Sequence, residues 1–515
     1  MKNLPIGIQD FEKLRESDYL YIDKTESYIK SILSGKYFLL NRPRRFGKSL
    51  MISTLSYLYQ GRKDLFTGLW IENNWDWTNI HPVIYLDINN TITRGGGTLK
   101  EGLMIIFRQQ AHSYGVELES DVPGYAFHEL IEKLADKGKK VVILVDEYDK
   151  PITDYITNPE IANEHSKILK SVYGALKSKD KYIEKAIITG VSKYGKVAIF
   201  SDLNNLFDLT LYEDANEICG YTEVEILNNF EDYLLKACDK FKISMETLME
   251  WVRSWYNGYC WEGKNKIYNP FSILNFFQTL KFQNFWFDTG TPTLLSEILF
   301  KEKYQPEILE YLQSDDMIFN SADINHIDVL SLLFQTGYLT IKEVTGPFYD
   351  PVYTLGYPNN EVRISFNSYL LAAYTDSNPT HVGAAFMVHL KNALREKDWT
   401  SFFATTNSVF ATVPYTVFQN TEAYYHSLVH VMLTMTGNLV LSEVLTNKGR
   451  IDSVLETEKM VVIFEFKMNS NAEKALSQIH EKGYPQRYGK KDKELILIGV
   501  NFNSENKCID ERLVG

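Results

Sequence analysis

Apolar positions in the first 225 residues fall into short runs separated by amphipathic stretches. The runs are Tyr37–Leu40, Val83–Asp87, Val141–Val145 and Ala186–Thr189. Each is too short for a helix and rich in Val, Ile, Leu or Phe, which predicts strands. Between them, Lys48–Tyr59, Leu99–Tyr114, Tyr125–Lys137 and Ile161–Ser178 carry a helical pattern. Strands alternating with helices predict a parallel sheet covered on both faces. From about residue 223 to 395 the pattern is mostly helical and aromatic, with helices predicted at Glu223–Phe241 and Ser244–Trp255. Leu330–Val344 reads as a helix followed by a short strand, the pattern of a small winged-helix element. In the last 120 residues, a helix over Thr421–Thr436 stops at Gly437. Strands Asn438–Leu445, Arg450–Glu456 and Met460–Lys467 follow, then a helix Ala472–Lys482 and a strand Glu494–Val500. The predicted class is therefore α/β, in three regions: 1–225 with a parallel sheet, 226–395 helical, and 396–515 with the order α-β-β-β-α-β.

Composition narrows the class. Hydrophobic residues at 44% and charged residues at 23% exclude a chain that is mainly disordered. A net charge of −12 excludes a general basic coat for nucleic acid, though not a local basic groove. From Leu441 to Gly515 there are 12 Lys/Arg and 12 Asp/Glu, so this tail is neutral and is the part better suited to meet a polyanion. Four Cys without CxxC or zinc spacing fit reduced thiols and a cytoplasmic location. The apolar runs are strand-sized, so no membrane span is expected. Gly95-Gly96-Gly97 reads as a flexible loop, and the i,i+4 pair His426/His430 as one face of a helix without metal.

The first strand leads into Arg42-Pro43-Arg44-Arg45-Phe46-Gly47-Lys48-Ser49. A phosphate-binding loop needs backbone N–H groups curled around the phosphates, a Lys for the outer phosphates and a hydroxyl for Mg²⁺. It opens a helix whose N-terminus suits an anion. Gly47-Lys48-Ser49 supplies that end; Arg42 stands where GxxxxGK[ST] has its first Gly, and the loop's Arg residues add positive charge. An exposed basic turn would account for Gly47-Lys48-Ser49 alone. The strand Val141–Val145 decides the matter, because it ends in Asp146-Glu147. Asp146 could hold Mg²⁺ with Ser49, and Glu147 could act as general base toward the attacking water. Thr189, at the end of the next strand, could sense the γ-phosphate or simply cap the strand.

The tail offers a second acidic constellation: Asp452, then Glu465-Phe466-Lys467 thirteen residues on. Metal-dependent phosphodiester hydrolysis needs carboxylates for the ion and a cation near the attacking water. Glu465 and Lys467 share a strand face, with Val462, Phe464 and Phe466 on the other. If Glu458-Lys459 form the turn, Thr457 pairs with Met460 and Asp452 lies opposite Glu465. Paired side chains stand about 4.5–5.5 Å apart at Cβ, close enough for one metal to bridge the two acids. A one-residue slip would separate them.

The segments YIDKT (Tyr21–Thr25), NRPRRFGKSL (Asn41–Leu50), ILVDEYDKP (Ile143–Pro151), ITGVSK (Ile188–Lys193), LNNLFDLTL (Leu203–Leu211) and WYNGY (Trp255–Tyr259) resemble the bacterial AAA-ATPase-like family, whose members commonly carry a C-terminal PD-(D/E)XK nuclease-like domain. The family's loop has the same RPRRFGKS form; Asn257 departs from it, since Asp is expected there. The resemblance implies an additional-strand P-loop ATPase binding ATP and Mg through Arg42, Arg44, Arg45, Phe46, Gly47, Lys48, Ser49, Asp146 and Thr189. In the tail it implies that Asp452 and Glu465 bind the metal and that Lys467 orients the water. Glu422 matches the family's helix acid and Gln478 its later polar position. The expected function is ATP hydrolysis coupled to Mg-dependent cleavage of nucleic acid, with DNA the expected form. The alternative is an ATP-dependent switch whose nuclease-like fold only binds nucleic acid or a protein partner. Assembly into a homo-oligomer is compatible with an AAA-like module, but no arginine finger can be picked out.

Overall fold

A computed structural model describes every residue except 33–34, 91–96, 194, 202, 290–291, 320–327, 348, 378–383, 416–417 and 489–492. Gly95 and Gly96 thus lie outside the described residues. The chain forms two compact units, one of Met1–Phe285 with Ser314–Tyr353 and one of Trp286–Gln313 with Thr354–Gly515. Residues 226–395 are divided between them.

In the first unit, β1 (Tyr37–Asn41), β2 (Val83–Asp87), β3 (Val141–Asp146), β4 (Ile183–Gly190) and β5 (Leu206–Asp208) form a parallel sheet in the order β2-β3-β4-β1-β5. Strands β1 and β3 are buried along their whole length. Their unbroken apolar runs are what a sheet covered on both faces requires. Each fully buried Val, Ile or Leu contributes about 1.5–3 kcal/mol. The strand inserted between β1 and β3 is β4, whereas Val83–Asp87, which lies between the two motifs in sequence, sits at the sheet edge. Strand β5 is only three residues long, too short for its apolar pattern to announce it. Asn158 caps Pro159–Ser178, whose Leu169, Val172, Tyr173 and Leu176 are buried at helical spacing. Three further short strands are β6 (Leu312–Ser314), β7 (Thr340–Thr345) and β8 (Val352–Gly356), of which β7 lies wholly in the first unit. The Val329–Thr336 helix precedes β7, in the helix-then-strand order expected.

In the second unit, β9 (Leu439–Leu445), β10 (Arg450–Glu456), β11 (Met460–Met468), β12 (Glu494–Asn503) and β13 (Cys508–Val514) form a sheet in the order β13-β12-β11-β10-β9. Only the β11–β12 pair is parallel. The α-β-β-β-α-β order is present, and β13 extends it by an antiparallel edge strand. Phe464, Phe466 and Phe502 stack in a row on one face, with Phe402 on Phe464 and Tyr425 on Phe502. Ile451, Val454, Val461, Ile463 and Ile479 build the other core. The Ala472–Glu481 helix lies so close to β12 that a Cβ at Gly499 would come within 2.3 Å of the Ala472 carbonyl oxygen. Only glycine permits that approach, which sets the helix carrying Gln478 over the sheet. Among the described residues, no helix is long and apolar enough to cross a membrane.

Candidate functional site

The 42–49 loop leaves β1 beside β4, where Arg42 N donates to the Gly190 carbonyl at 3.2 Å. Two residues take left-handed backbone, Arg45 at φ 66° and Gly47 at φ 96°. Gly47 adopts it without steric cost, while Arg45 does so at a cost of order 1–3 kcal/mol, a strain that concentrates at functional loops. The Lys48–Tyr59 helix starts here with no side chain capping its N-terminus. Lys48 is buried, and its Nζ donates to the carbonyls of Arg42 (2.8 Å) and Pro43 (2.9 Å), so it arches back across the loop.

Three loop residues are anchors. Arg42 is fully buried, and its guanidinium donates to the carbonyls of Asn41, Thr210 and Ala215 and stacks 4.0 Å over Trp261. These contacts take it away from the phosphate role expected for it. Phe46 packs edge-on to Tyr259 (4.7 Å) and Trp261 (5.4 Å), and the Arg45 guanidinium lies 3.7 Å over Phe271. Tyr259, the last residue of the WYNGY segment, thus clamps the loop together with Trp261 and Phe271. Asn257 accepts from the Gly258 N–H at 2.7 Å, a local turn bond that an Asp carboxylate could equally accept. YIDKT is likewise structural: Asp23 accepts from the Thr25 N–H and Lys24 pairs with Glu225 at 2.6 Å. Phe46→Ala should cost about 3–5 kcal/mol, the usual cost of emptying a buried Phe site. Urea unfolding followed by tryptophan fluorescence measures it.

Asp146 ends β3, buried, and accepts from Thr189 Oγ1 at 2.7 Å. Thr189 is itself fully buried, so its hydroxyl orients Asp146 and is not offered to a phosphate. Glu147 follows at φ 56°, a left-handed conformation that turns it out of the strand. Burial raises its pKa; Lys48 and Arg44 oppose the rise, while Asp146 and Asp149 add to it. The structure therefore brings Lys48, Arg44, Asp146 and Glu147 together. Ser49 is half-buried at the start of the same helix. Sequence reasoning missed Asp149, which is buried and accepts from the Val191 and Ser192 N–H groups and the Ser192 hydroxyl at 2.8–3.1 Å. It missed Asp208 as well, which pairs with Lys193 at 2.9 Å and Lys196 at 2.6 Å. Both acids lie in segments that carried the resemblance, but nothing in a linear motif shows which backbone an acid will cap.

In the second unit the β10–β11 register runs from Glu456–Val461 to Ser453–Phe464, and the turn closes with Thr457 N on the Met460 carbonyl. This register sets Asp452 and Glu465 at the same level. The ladder ends at Ser453. Beyond it the Asp452 carboxylate accepts from Phe466 N at 2.7 Å, taking the place of a strand carbonyl. Glu465 is fully buried; its Oε1 accepts from Lys467 Nζ at 3.2 Å and from Gln478 Nε2. Its Oε2 is buried with no hydrogen-bond partner. Burial, then the charge of Asp452, push the Glu465 pKa up to about 8, while Lys467 opposes the rise. Burial also raises Asp452, against the bond from Phe466 N and the charge of Lys467.

Glu422 sits exposed in the first turn of its helix, within electrostatic reach of Asp452. It lines a cavity of about 230 Å³ together with Glu307, His426, Glu443, Arg450 and Asp452. All of the tail's expected site residues are therefore grouped together. Glu443, at φ 58°, pairs with Arg450 and was not anticipated, because its place beside Asp452 depends on β9 pairing with β10. His426 and His430 lie on the inner face of their helix, where burial lowers their pKa values to about 4 and about 3. No group of three or more His, Cys, Asp or Glu among the described residues has metal-chelating geometry. Two carboxylates are nevertheless a fit for Mg²⁺, which draws its other ligands from water and substrate phosphate. The unpartnered Glu465 Oε2 is an acceptor that such an ion would satisfy.

Residues 5–200 match the family described as predicted AAA-ATPase, and residues 420–512 match the PD-(D/E)XK nuclease superfamily. An uncharacterized protein in the vnfD 5' region of Azotobacter chroococcum mcd 1 is 35% identical over 99% of this chain and 98% of its own length. With the β2-β3-β4-β1-β5 parallel sheet in the first unit and the β13-β12-β11-β10-β9 sheet in the second, the chain belongs to the AAA-ATPase-like family and carries a C-terminal PD-(D/E)XK nuclease superfamily domain.

Proposed function

We propose that the protein hydrolyses ATP in its first unit and, in its second, cleaves phosphodiester bonds of nucleic acid, DNA in the first instance, with Mg²⁺. The observation that carries the nuclease half is the buried, unpartnered Glu465 Oε2 at the level of Asp452, with Lys467 on the other carboxylate oxygen. A structural ion pair would have no use for that empty acceptor, and leaving it unmet costs about 1–3 kcal/mol or more.

Asp452 and Glu465 would hold the Mg²⁺. When bound, that ion neutralises a phosphodiester oxygen and makes a water more acidic. Phe466 N fixes the Asp452 rotamer, and Gln478 fixes that of Glu465. Lys467, partly exposed, would orient the attacking water through a hydrogen bond and bring positive charge to the developing oxyanion. In the first unit, Lys48 would swing from the loop carbonyls to the outer phosphates, and Ser49 and Asp146 would hold the nucleotide's Mg²⁺. Glu147 would take the proton of the attacking water, and its raised pKa suits a base. A cytoplasmic setting suits the four free cysteines. Incubating the full chain with labelled DNA and RNA and Mg²⁺, with and without ATP, tests the reading. Chelator-sensitive cleavage supports it, and absence of cleavage on every substrate contradicts it.

The high pKa of Glu465 links metal to pH. A carboxyl raised from its ordinary value to about 8 favours folding while protonated. Without a divalent ion, the second unit should therefore lose stability as pH rises from about 4.5 through 8. Mg²⁺ binds the ionised form, so its stabilising effect should grow over the same range. Melting at pH 6 and 8.5, with and without Mg²⁺, should show a shift of several degrees only at the higher pH. Glu465→Gln should remove both the pH and the metal dependence.

A further inference from the structure

The tip of the β9–β10 hairpin carries a group of cations that neither centre uses. The tip is a tight turn, with Thr446 N and Oγ1 both donating to the Gly449 carbonyl at 2.7 and 2.9 Å. Exposed Lys448 stands on it. Arg487, also exposed, donates from Nη1 to the Leu445 carbonyl at 2.6 Å. Exposed Lys482 lies over the same turn, its Cδ 3.6 Å from where a Cβ on Gly449 would stand. Tyr484 completes the seam, donating to the Arg450 carbonyl at 2.7 Å. Three separate elements thus converge on the hairpin tip, each carrying a cation.

This spot is continuous with the metal centre. Asp452 is two residues from Arg450 on the same strand. Lys482 is one helical turn beyond Gln478, which holds Glu465; its N–H bonds the Gln478 carbonyl at 3.0 Å. The Tyr484 hydroxyl lies between them, its pKa raised by burial and by the charge of Glu465. Arg450 is already engaged by Glu443, whereas Lys448 and Lys482 have no carboxylate partner among the described ion pairs. Clustered like charges repel one another, a cost that an incoming polyanion removes.

Resting on the nuclease reading above, we infer that Lys448, Lys482 and Arg487 form a phosphate-binding rim that grips the nucleic-acid backbone beside the scissile bond. The partner is the phosphodiester chain itself. The contact is sequence-independent, because cations on backbone phosphates carry no base information. It follows that binding falls steeply with salt.

The test is binding of the full chain, with Ca²⁺ in place of Mg²⁺, to a labelled mixed-sequence duplex and its single strand, each as DNA and as RNA, over a salt series. Lys448→Ala/Lys482→Ala/Arg487→Ala should weaken binding about ten-fold or more and flatten the log–log salt slope by about 2–3, near 0.9 per lost phosphate contact on a duplex. Lys448→Arg/Lys482→Arg/Arg487→Lys should bind like wild type, which separates charge from folding. Lys459→Ala, at the turn on the opposite end of β10, should also bind like wild type. Wild-type binding that the triple alanine variant leaves unchanged overturns the rim alone. Wild type that binds none of the four probes overturns both the rim and the nuclease reading.

Discussion

Lys48→Ala should lower ATP turnover at least about 10²-fold, the scale of losing one preorganised charge in a transition-state site. Lys48 is a buried cation whose charge acts on Glu147 at the β3 tip. Its Nζ waits on two loop carbonyls 2.8 and 2.9 Å away, so reaching a phosphate costs it only those bonds. Its removal acts twice. The outer phosphates lose their counter-charge, and Glu147 loses the cation that most opposes its raised pKa. Glu147 then keeps its proton to higher pH, so less of it is ionised at neutral pH and residual turnover should be displaced toward alkaline pH. Lys48→Arg should fail as well, because a planar fork does not replace a point charge between two carbonyls. Phosphate release against pH measures both effects. Turnover that survives in Lys48→Ala would remove the phosphate-loop assignment.

Lys467→Ala should reduce metal-dependent cleavage by about 10²–10³-fold and leave ATP turnover unchanged. Lys467 bonds Glu465 Oε1 at 3.2 Å and is the cation that holds the Glu465 pKa down against burial and Asp452. Without it that pKa climbs above about 8, so the divalent ion must displace a more tightly held proton. Residual cleavage should therefore demand higher pH and more Mg²⁺, and raising both should recover part of the loss. Lys467→Arg keeps the charge and should fall between wild type and alanine. A pH profile unmoved by Lys467→Ala would mean that the lysine is a surface neighbour and not part of the centre.

Much of this was legible in the residues because local patterns fix local geometry. The unbroken Val141–Val145 run could only be a strand buried on both faces. The turn at Glu458-Lys459 set the register that levels Asp452 with Glu465. What escaped the sequence depends on which elements meet. Nothing linear says that β4 is inserted between β1 and β3, so Thr189 reads as a phosphate sensor or a strand cap, when its hydroxyl donates to Asp146. Arg42 reads as a phosphate contact because three Arg in one loop look alike. Its burial under Trp261, some 220 residues away, appears only once the chain has folded. Glu443 is invisible for the same reason, being brought to Asp452 by strand pairing. The β10–β11 ladder also stops at Ser453, because the Asp452 carboxylate accepts the Phe466 N–H that continued pairing would give to the Ile451 carbonyl.

The central claim is that one chain holds two separate hydrolytic centres, and the direct measurement is phosphate release and strand cleavage followed side by side on wild type and Asp452→Ala with Mg²⁺. The prediction is that wild type does both, while Asp452→Ala releases phosphate from ATP normally and leaves every DNA and RNA strand intact. Cleavage that persists in Asp452→Ala, or a wild type that cuts nothing, would contradict it.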